Sequence, residues 1–284
     1  MATFFNQATL TYNNTTTLSN VVAGEIVGVL SAEKTAVSPD YTVGEDIAYV
    51  ISIVNNGSLP YSDLTVTDNL GEYTSGVLTL TPLTYVEGSV KYYVNGVLQA
   101  EPTVADLSPL TFTGINVPAG GNAIIVYEAV VNSFAPLGAD GEITNTVSIT
   151  GAQISSPVTA EETIGSVNGP VLSITKALSP VSVPENGEIT YTFVIRNTGN
   201  EEIVATDNAV ITDVFDPILD ITSVTYNGTP WTEGTNYDYD EATGTFTTRE
   251  GQITVPAATF TQDPATGEWV VTPGTATVVV TGTV

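Results

Sequence analysis

One stretch of this chain occurs twice. Residues 29–57, VLSAEKTAVSPDYTVGEDIAYVISIVNNG, align without a gap on residues 171–199, VLSITKALSPVSVPENGEITYTFVIRNTG. The alignment pairs Lys34 with Lys176, Ile47 with Ile189, Tyr49 with Tyr191, Ile53 with Ile195, Asn55 with Asn197 and Gly57 with Gly199. Further on, LTVTD and AVITD pair Asp68 with Asp213, SVKYYVNG matches SVTYNG, and PAGGNAIIVYEAVV matches PGTATVVVTGTV, which sets Thr281 where the first copy has Glu128. A repeat of this length requires a fold built from two copies of one unit, each burying its own core.

Within each copy apolar residues recur at every second position in short runs bounded by Gly, Pro, Asn or Asp, and no helical period extends beyond a turn or two. The expected class is all-β: two immunoglobulin-like β-sandwich domains in tandem, at 29–150 and 171–284, joined by a connector at 151–170. Asn95 with Gly96 and Asn227 with Gly228 read as hairpin turns, and two more hairpins are expected around DEATGTF and DPATGEW.

The copies differ at their ends. The first runs on into ITNTVSIT at 143–150, where Ile143, Asn145, Val147 and Ile149 share a face, and the second reaches Val284 without such a strand. The same pattern opens the chain, where FFNQATLTY at 4–12 puts Phe4, Asn6, Ala8, Leu10 and Tyr12 on one face. SNVVAGE at 19–25 also matches SPVTAEE at 156–162. Residues 1–28 are therefore read as a donor strand and its connector. A sandwich short of its last strand leaves an apolar groove and a row of unpaired backbone groups. If the front strand of one copy fills the second domain of another, both defects disappear, as in donor-strand complementation. Donor and acceptor are different surfaces, so the contact is head-to-tail and propagates, and the expected partner is the same chain in a homopolymer. The competing arrangement is a strand folded back within its own chain.

Composition removes other classes of function. The formal net charge is -26, with only 5 Lys and Arg against 31 Asp and Glu, which cannot neutralise a phosphate backbone or hold an anionic membrane. There is no cysteine and no histidine, so disulfides, thiol nucleophiles, the common zinc ligands and the usual general base are absent. No enzyme activity, cofactor or metal is expected. Asp238, Asp240 and Glu241 in NYDYDEATG do not have the spacing of a calcium loop and read as a solvated acidic turn. The head of the chain shows no classical signal peptide, and no run reaches the roughly 18 apolar residues of a membrane span.

The lysines carry the remaining signal. Lys34 shares a face with Leu30 and Ala32, and Lys176 with Leu172 and Ile174, so both are expected to point toward the core. Burial drives an ammonium toward the neutral amine. Asp68 lies on the face of Leu64 and Val66, and Asp213 on that of Ile211 and Phe215, where a carboxyl is likewise driven neutral. An amine and an acid beside an asparagine carboxamide are the set required for a Lys-Asn isopeptide bond. The same residues also make an ordinary buried ion pair with an asparagine completing its hydrogen bonds.

VLSITK, the Tyr191, Phe193, Ile195, Asn197, Gly199 alternation, VITD at 210–213 and ITNTV at 143–147 resemble the repeat family catalogued as domain of unknown function eleven, a β-sandwich module of bacterial and archaeal surface proteins. A two-repeat chain of this kind is also similar to the small subunits of clostridial endospore appendages. The resemblance implies a structural subunit of a filament on a cell or endospore surface. Gram-positive adhesin and pilin domains, to which the sequence is similar as well, join a lysine of the first strand to an asparagine of the last. Carried across, that likeness implies a link within the first domain from Lys34 to Asn145 with Asp68 as the acid. It implies a link between subunits from Lys176 to Asn6 with Asp213 as the acid. Glu128 is a rival acid in the first domain. An adhesive or carbohydrate-binding surface module, using the hairpins after Asp213, is the alternative reading.

Overall fold

A computed structural model describes residues 2–26 and 28–284. The N-terminal segment holds β1 (Ala2–Asn6), β2 (Thr9–Tyr12), β3 (Thr15–Leu18) and β4 (Val22–Ile26). The first domain comprises β5 (Leu30–Ala36), β6 (Asp40–Tyr41), β7 (Asp46–Asn55), β8 (Tyr61–Asp68), β9 (Tyr73–Ser75), β10 (Leu78–Leu80), β11 (Leu83–Tyr85), β12 (Lys91–Val94), β13 (Val97–Leu98), β14 (Thr103–Leu107), β15 (Leu110–Val117), β16 (Asn122–Val131), β17 (Glu142–Thr150) and β18 (Val158–Ser166). The second comprises β19 (Leu172–Ser179), β20 (Glu188–Asn197), β21 (Thr212–Val214), β22 (Asp220–Tyr226), β23 (Thr229–Trp231), β24 (Tyr237–Asp240), β25 (Thr245–Thr248), β26 (Thr259–Gln262), β27 (Trp269–Thr272) and β28 (Gly274–Thr283). Among the described residues the one helical element is a 3-10 turn at Ala205–Asp207. The fold is all-β, two sandwiches in tandem.

Period-2 alternation makes the layers. Along β7, Ile47, Tyr49, Ile51, Ile53 and Asn55 are buried and the residues between them are not. The first domain packs the sheet β13-β12-β16-β7-β5 against the sheet β14-β15-β8-β17-β18-β6, and Ile51, Leu64, Phe112, Tyr127 and Val147 meet in the space between. In the second domain the sheet β19-β20-β28-β22-β23 faces only three strands, β21-β25-β24, over a core that includes Tyr191, Phe215, Phe246 and Val278. The Asn95-Gly96 and Asn227-Gly228 turns have φ of 48° and 78° in both copies. Two successive positive φ values are what a two-residue hairpin of the favoured hand needs. The hairpins expected at 240–246 and 263–269 form as β24-β25 and β26-β27. The second of them reaches the first domain, where Gln262 donates to Tyr73 Oη at 2.9 Å, Ser75 donates to Gln262 Oε1 at 2.6 Å and Trp269 N donates to Ser133 O at 2.9 Å.

Two sequence expectations are corrected. Residues 4–12 do not form one strand: the chain breaks at Gln7 and Ala8, so that β1 pairs with β4 and β2 with β3 around a turn at Asn13 and Asn14. Asparagine tolerates the positive φ of that turn, 47° and 60°. The segments read as connectors also contain strands. β18, within 151–170, pairs along β17 from Glu142↔Gly165 to Ile149↔Val158. The Glu161 and Glu162 pair hides its alternation, because only one face of β18 packs against the core and the other is exposed.

Candidate functional site

The two copies differ in what covers their first strand. In the first domain β17 pairs with β8, β18 pairs with β17, and β18 packs across β5. Leu30 of β5 is 8% exposed, whereas its counterpart Leu172 is 47% exposed, and every residue of β19 is open to solvent. Among the described residues no strand pairs with the edge of β21 that corresponds to the β17 side of β8. The uncovered groove is lined by Leu172, Ile174, Ile195, Ile211 and Val255. Sealing each Leu- or Ile-sized side chain is worth about 1.5–3 kcal/mol.

The N-terminal segment is exposed as well. Phe4 is 52% and Leu10 66% accessible, and Phe5, Tyr12, Leu18, Val21 and Val22 are also exposed. Asn6 lies on β1, whose strand partner is β4. Among the described residues no hydrogen bond or ion pair joins Asn6 to Lys176 or Asp213.

Lys34, Asp68 and Asn145 come together in the first domain. The two sheets bring them there: Lys34 comes from β5 of one sheet, and Asp68, at the end of β8, and Asn145, on the neighbouring β17, come from the other. The Lys34 ammonium and the Asp68 carboxylate have no exposed surface and sit 2.6 Å apart. Burial holds the Lys34 amine down at about 8, against the opposing pull of Asp68 and, more weakly, Glu162. The Nζ also lies 5.0 Å from the centre of the Tyr49 ring. A fourth residue, which the sequence analysis did not single out, joins the set. Tyr127 Oη donates to Asp68 Oδ2 at 2.7 Å and accepts from Asn145 Nδ2 at 3.0 Å, while Asn145 Oδ1 is buried without a partner. Burial, reinforced by the Asp68 charge, raises the Tyr127 hydroxyl well above its ordinary value. The only trace in the sequence is the placement of Tyr127 on the inward face of β16, which marks it as core and nothing more. Glu128, its neighbour, is exposed on the opposite face of β16 and does not reach the cluster, as strand parity requires.

The second domain repeats the pair in a different setting. Lys176 contacts the Asp213 carboxylate and lies 4.2 Å from the centre of the Tyr191 ring, yet its side chain is 38% exposed. The expectation that Lys176 points into a core is corrected accordingly: with β19 uncovered, parity gives it a face but no interior. Tyr127 and Val280 occupy equivalent positions, opposite Tyr49 and Tyr191 respectively. No phenol therefore stands beside Asp213 in that register.

Elsewhere, Arg249 forms a bidentate pair with Asp238 at 2.7 and 2.9 Å, and Asp240 accepts from Ala242 N and Thr243 Oγ1 within its turn. Among the described residues no three acidic, histidine or cysteine side chains gather as metal ligands, and no helix is long and apolar enough to cross a membrane. Trp231 stacks on Tyr226 at 4.9 Å, and Trp269 Nε1 donates to Tyr73 Oη at 3.4 Å.

No known protein family matches the chain by sequence, and no curated protein does. Among solved structures it is similar to BcpA, the major pilin subunit of Bacillus cereus, with 11% identity and a TM-score of 0.37 over 75% of this chain and 69% of that one. It is also similar to the pilus backbone RrgB of Streptococcus pneumoniae, with 13% identity and a TM-score of 0.35 over 86% of this chain and 55% of that one. A third likeness is to the collagen-binding domain of a Staphylococcus aureus adhesin, with 13% identity and a TM-score of 0.32 over 49% of this chain and 99% of that domain. At these identities the likeness is one of β-sandwich fold alone.

Proposed function

We propose that this protein is a structural subunit that assembles head-to-tail, the N-terminal segment of one copy completing the second domain of the next. One observation carries the reading: the inward face of the same repeated strand is covered in β5, where Leu30 and Lys34 are buried, and bare in β19, while the element that would cover it stands exposed at the front of the chain. Joined in this way, each copy presents one donor and one acceptor, and the product is a filament. The resemblance to surface-protein repeats points to an appendage on a cell or endospore. The net charge of -26 keeps such filaments soluble and apart.

The Lys34 cluster supports a covalent staple in the first domain. Nζ of the neutral amine attacks Cγ of Asn145, the new amide forms, and Nδ2 departs as ammonia. Nζ gives its proton to Asp68 Oδ2; as the C–N bond breaks, the Tyr127 hydroxyl turns from Asp68 to protonate the leaving nitrogen and is itself reprotonated by Asp68. Once the donor segment docks, Asn6 takes the place of Asn145 and reaches Lys176, with Asp213 as the acid and no phenol to help.

Removing residues 2–12 tests the reading. Gel filtration should then show monomers, and assembly unchanged from the full chain would reject strand donation. Intact mass should fall by one ammonia for the internal link, and multimers should survive boiling in detergent where Lys176 has joined Asn6.

A further inference from the structure

We infer that the donated element is a two-stranded ribbon, β1 together with β4, and that it docks only after its strands slide three residues past each other. The inference deepens the head-to-tail reading and rests on it.

The first domain supplies the pattern. It is completed by the pair β17 and β18, with Asn145 opposite Glu162, Val147 opposite Ala160 and Ile149 opposite Val158. The second strand of that pair does the covering, since β18 lies across β5 and its Val158 and Ala160 pack against the core. A lone donor in the β17 position would pair with β21 and leave β19 bare. The chain carries counterparts for both strands. Phe4, Asn6, Ala8 and Leu10 match Ile143, Asn145, Val147 and Ile149, and Val21, Ala23 and Glu25 match Val158, Ala160 and Glu162. The connections match too, because β18 leads into β19 as β4 leads into β5. The junction between the two domains of one chain is thus the pattern for the junction between two chains.

The undocked ribbon does not have the docking register. To copy β17 and β18, Asn6 must face Glu25, whereas it faces Val22, with Phe4 opposite Gly24. The Phe4 ring lies where a side chain on residue 24 would be, 2.5 Å from the position of an added Cβ. An odd shift turns one strand over relative to the other. In the undocked register Phe4 and Asn6 share a face with Val22 and Gly24, and Ala23 points to the opposite side. After a slide of three residues Phe4, Asn6 and Ala23 share one face and are presented together to β19 and β21. The hairpin register therefore keeps the two halves of the docking surface apart until an acceptor groove is available.

Three substitutions in the full-length chain test this, with assembly followed by sedimentation velocity at matched concentration and monomer folding checked by thermal unfolding. Phe4→Asp and Ala23→Asp should each weaken assembly about tenfold or more, because either places a carboxylate against the apolar groove. Val22→Asp should change it by less than about twofold, since that residue faces outward in the docked register. If Phe4→Asp disrupts assembly while Ala23→Asp and Val22→Asp are both silent, a single strand is donated and the ribbon is wrong, though the head-to-tail reading stands. If Val22→Asp disrupts and Ala23→Asp does not, the ribbon docks without sliding. Silence of all three overturns donation itself.

Discussion

At the scale of single residues the proposed chemistry turns on the amine of Lys34 and on Tyr127. With the amine held at about 8, its neutral fraction grows about tenfold per pH unit below that value and levels off above it. Tyr127→Phe removes the hydroxyl between Asp68 and Asn145 and should slow the internal link at least about a hundredfold. That variant leaves an unlinked population whose loss of ammonia can be timed by mass spectrometry. The rate should rise steeply from pH 6 and flatten near pH 8; a flat profile would exclude the neutral amine as the attacking group. Asn145→Ala leaves Lys34 as an amine for good. Its folded value of about 8 lies below the ordinary 10.5, so between these two values the unfolded chain binds more protons than the folded one. Stability should therefore climb from pH 8 upward. The rise should reverse near pH 10, where Tyr41, Tyr49 and Tyr127, all raised by burial, begin to ionise in the unfolded chain only. Denaturant titrations across this range check the sign. The inward placement of Lys34 and Asp68 was legible from strand parity alone. The participation of Tyr127 was not, because parity marks a residue as interior without naming its neighbours.

At the scale of elements, β19 is exposed along its whole length, and the proposed assembly makes it half of an interface. Ile174→Asp should cost the monomer less than about 0.5 kcal/mol, since the side chain is exposed. It should nevertheless block assembly, and a melting curve beside a sedimentation run would separate the two effects. The equally apolar Ile53, fully buried on β7, should cost about 2–5 kcal/mol when cut to alanine. The hairpins were readable from Asn-Gly and acidic turn signals. The strands β4 and β18 were hidden by their Glu and Gly residues, which interrupt the apolar alternation that marks a strand. Docking of the β26-β27 hairpin onto Tyr73, Ser75 and Ser133 had no local signal at all, because it depends on contacts between residues far apart in the chain.

At the scale of the whole molecule, like charge opposes association. Each copy carries -26, so the rate of head-to-tail joining should increase as salt is added, with most of the gain by about 0.15 M, where screening acts within roughly 8 Å. Light scattering at a series of ionic strengths measures this. A rate that falls with salt would mean that attraction between opposite charges drives the encounter, contrary to an apolar groove filled by an apolar ribbon.

The amino-acid sequence by itself determined the all-β class, the two-copy plan, the hairpin turns and the face on which each lysine, aspartate and asparagine lies. All of these are local: they follow from alternation along a strand, from backbone conformations that Asn and Gly allow, and from the repeat itself. Tertiary structure decided which strand covers which. Lys34 is sealed beneath β18 and Lys176 is open because burial is a property of the neighbouring strand, and parity along one strand contains no information about whether that neighbour is there.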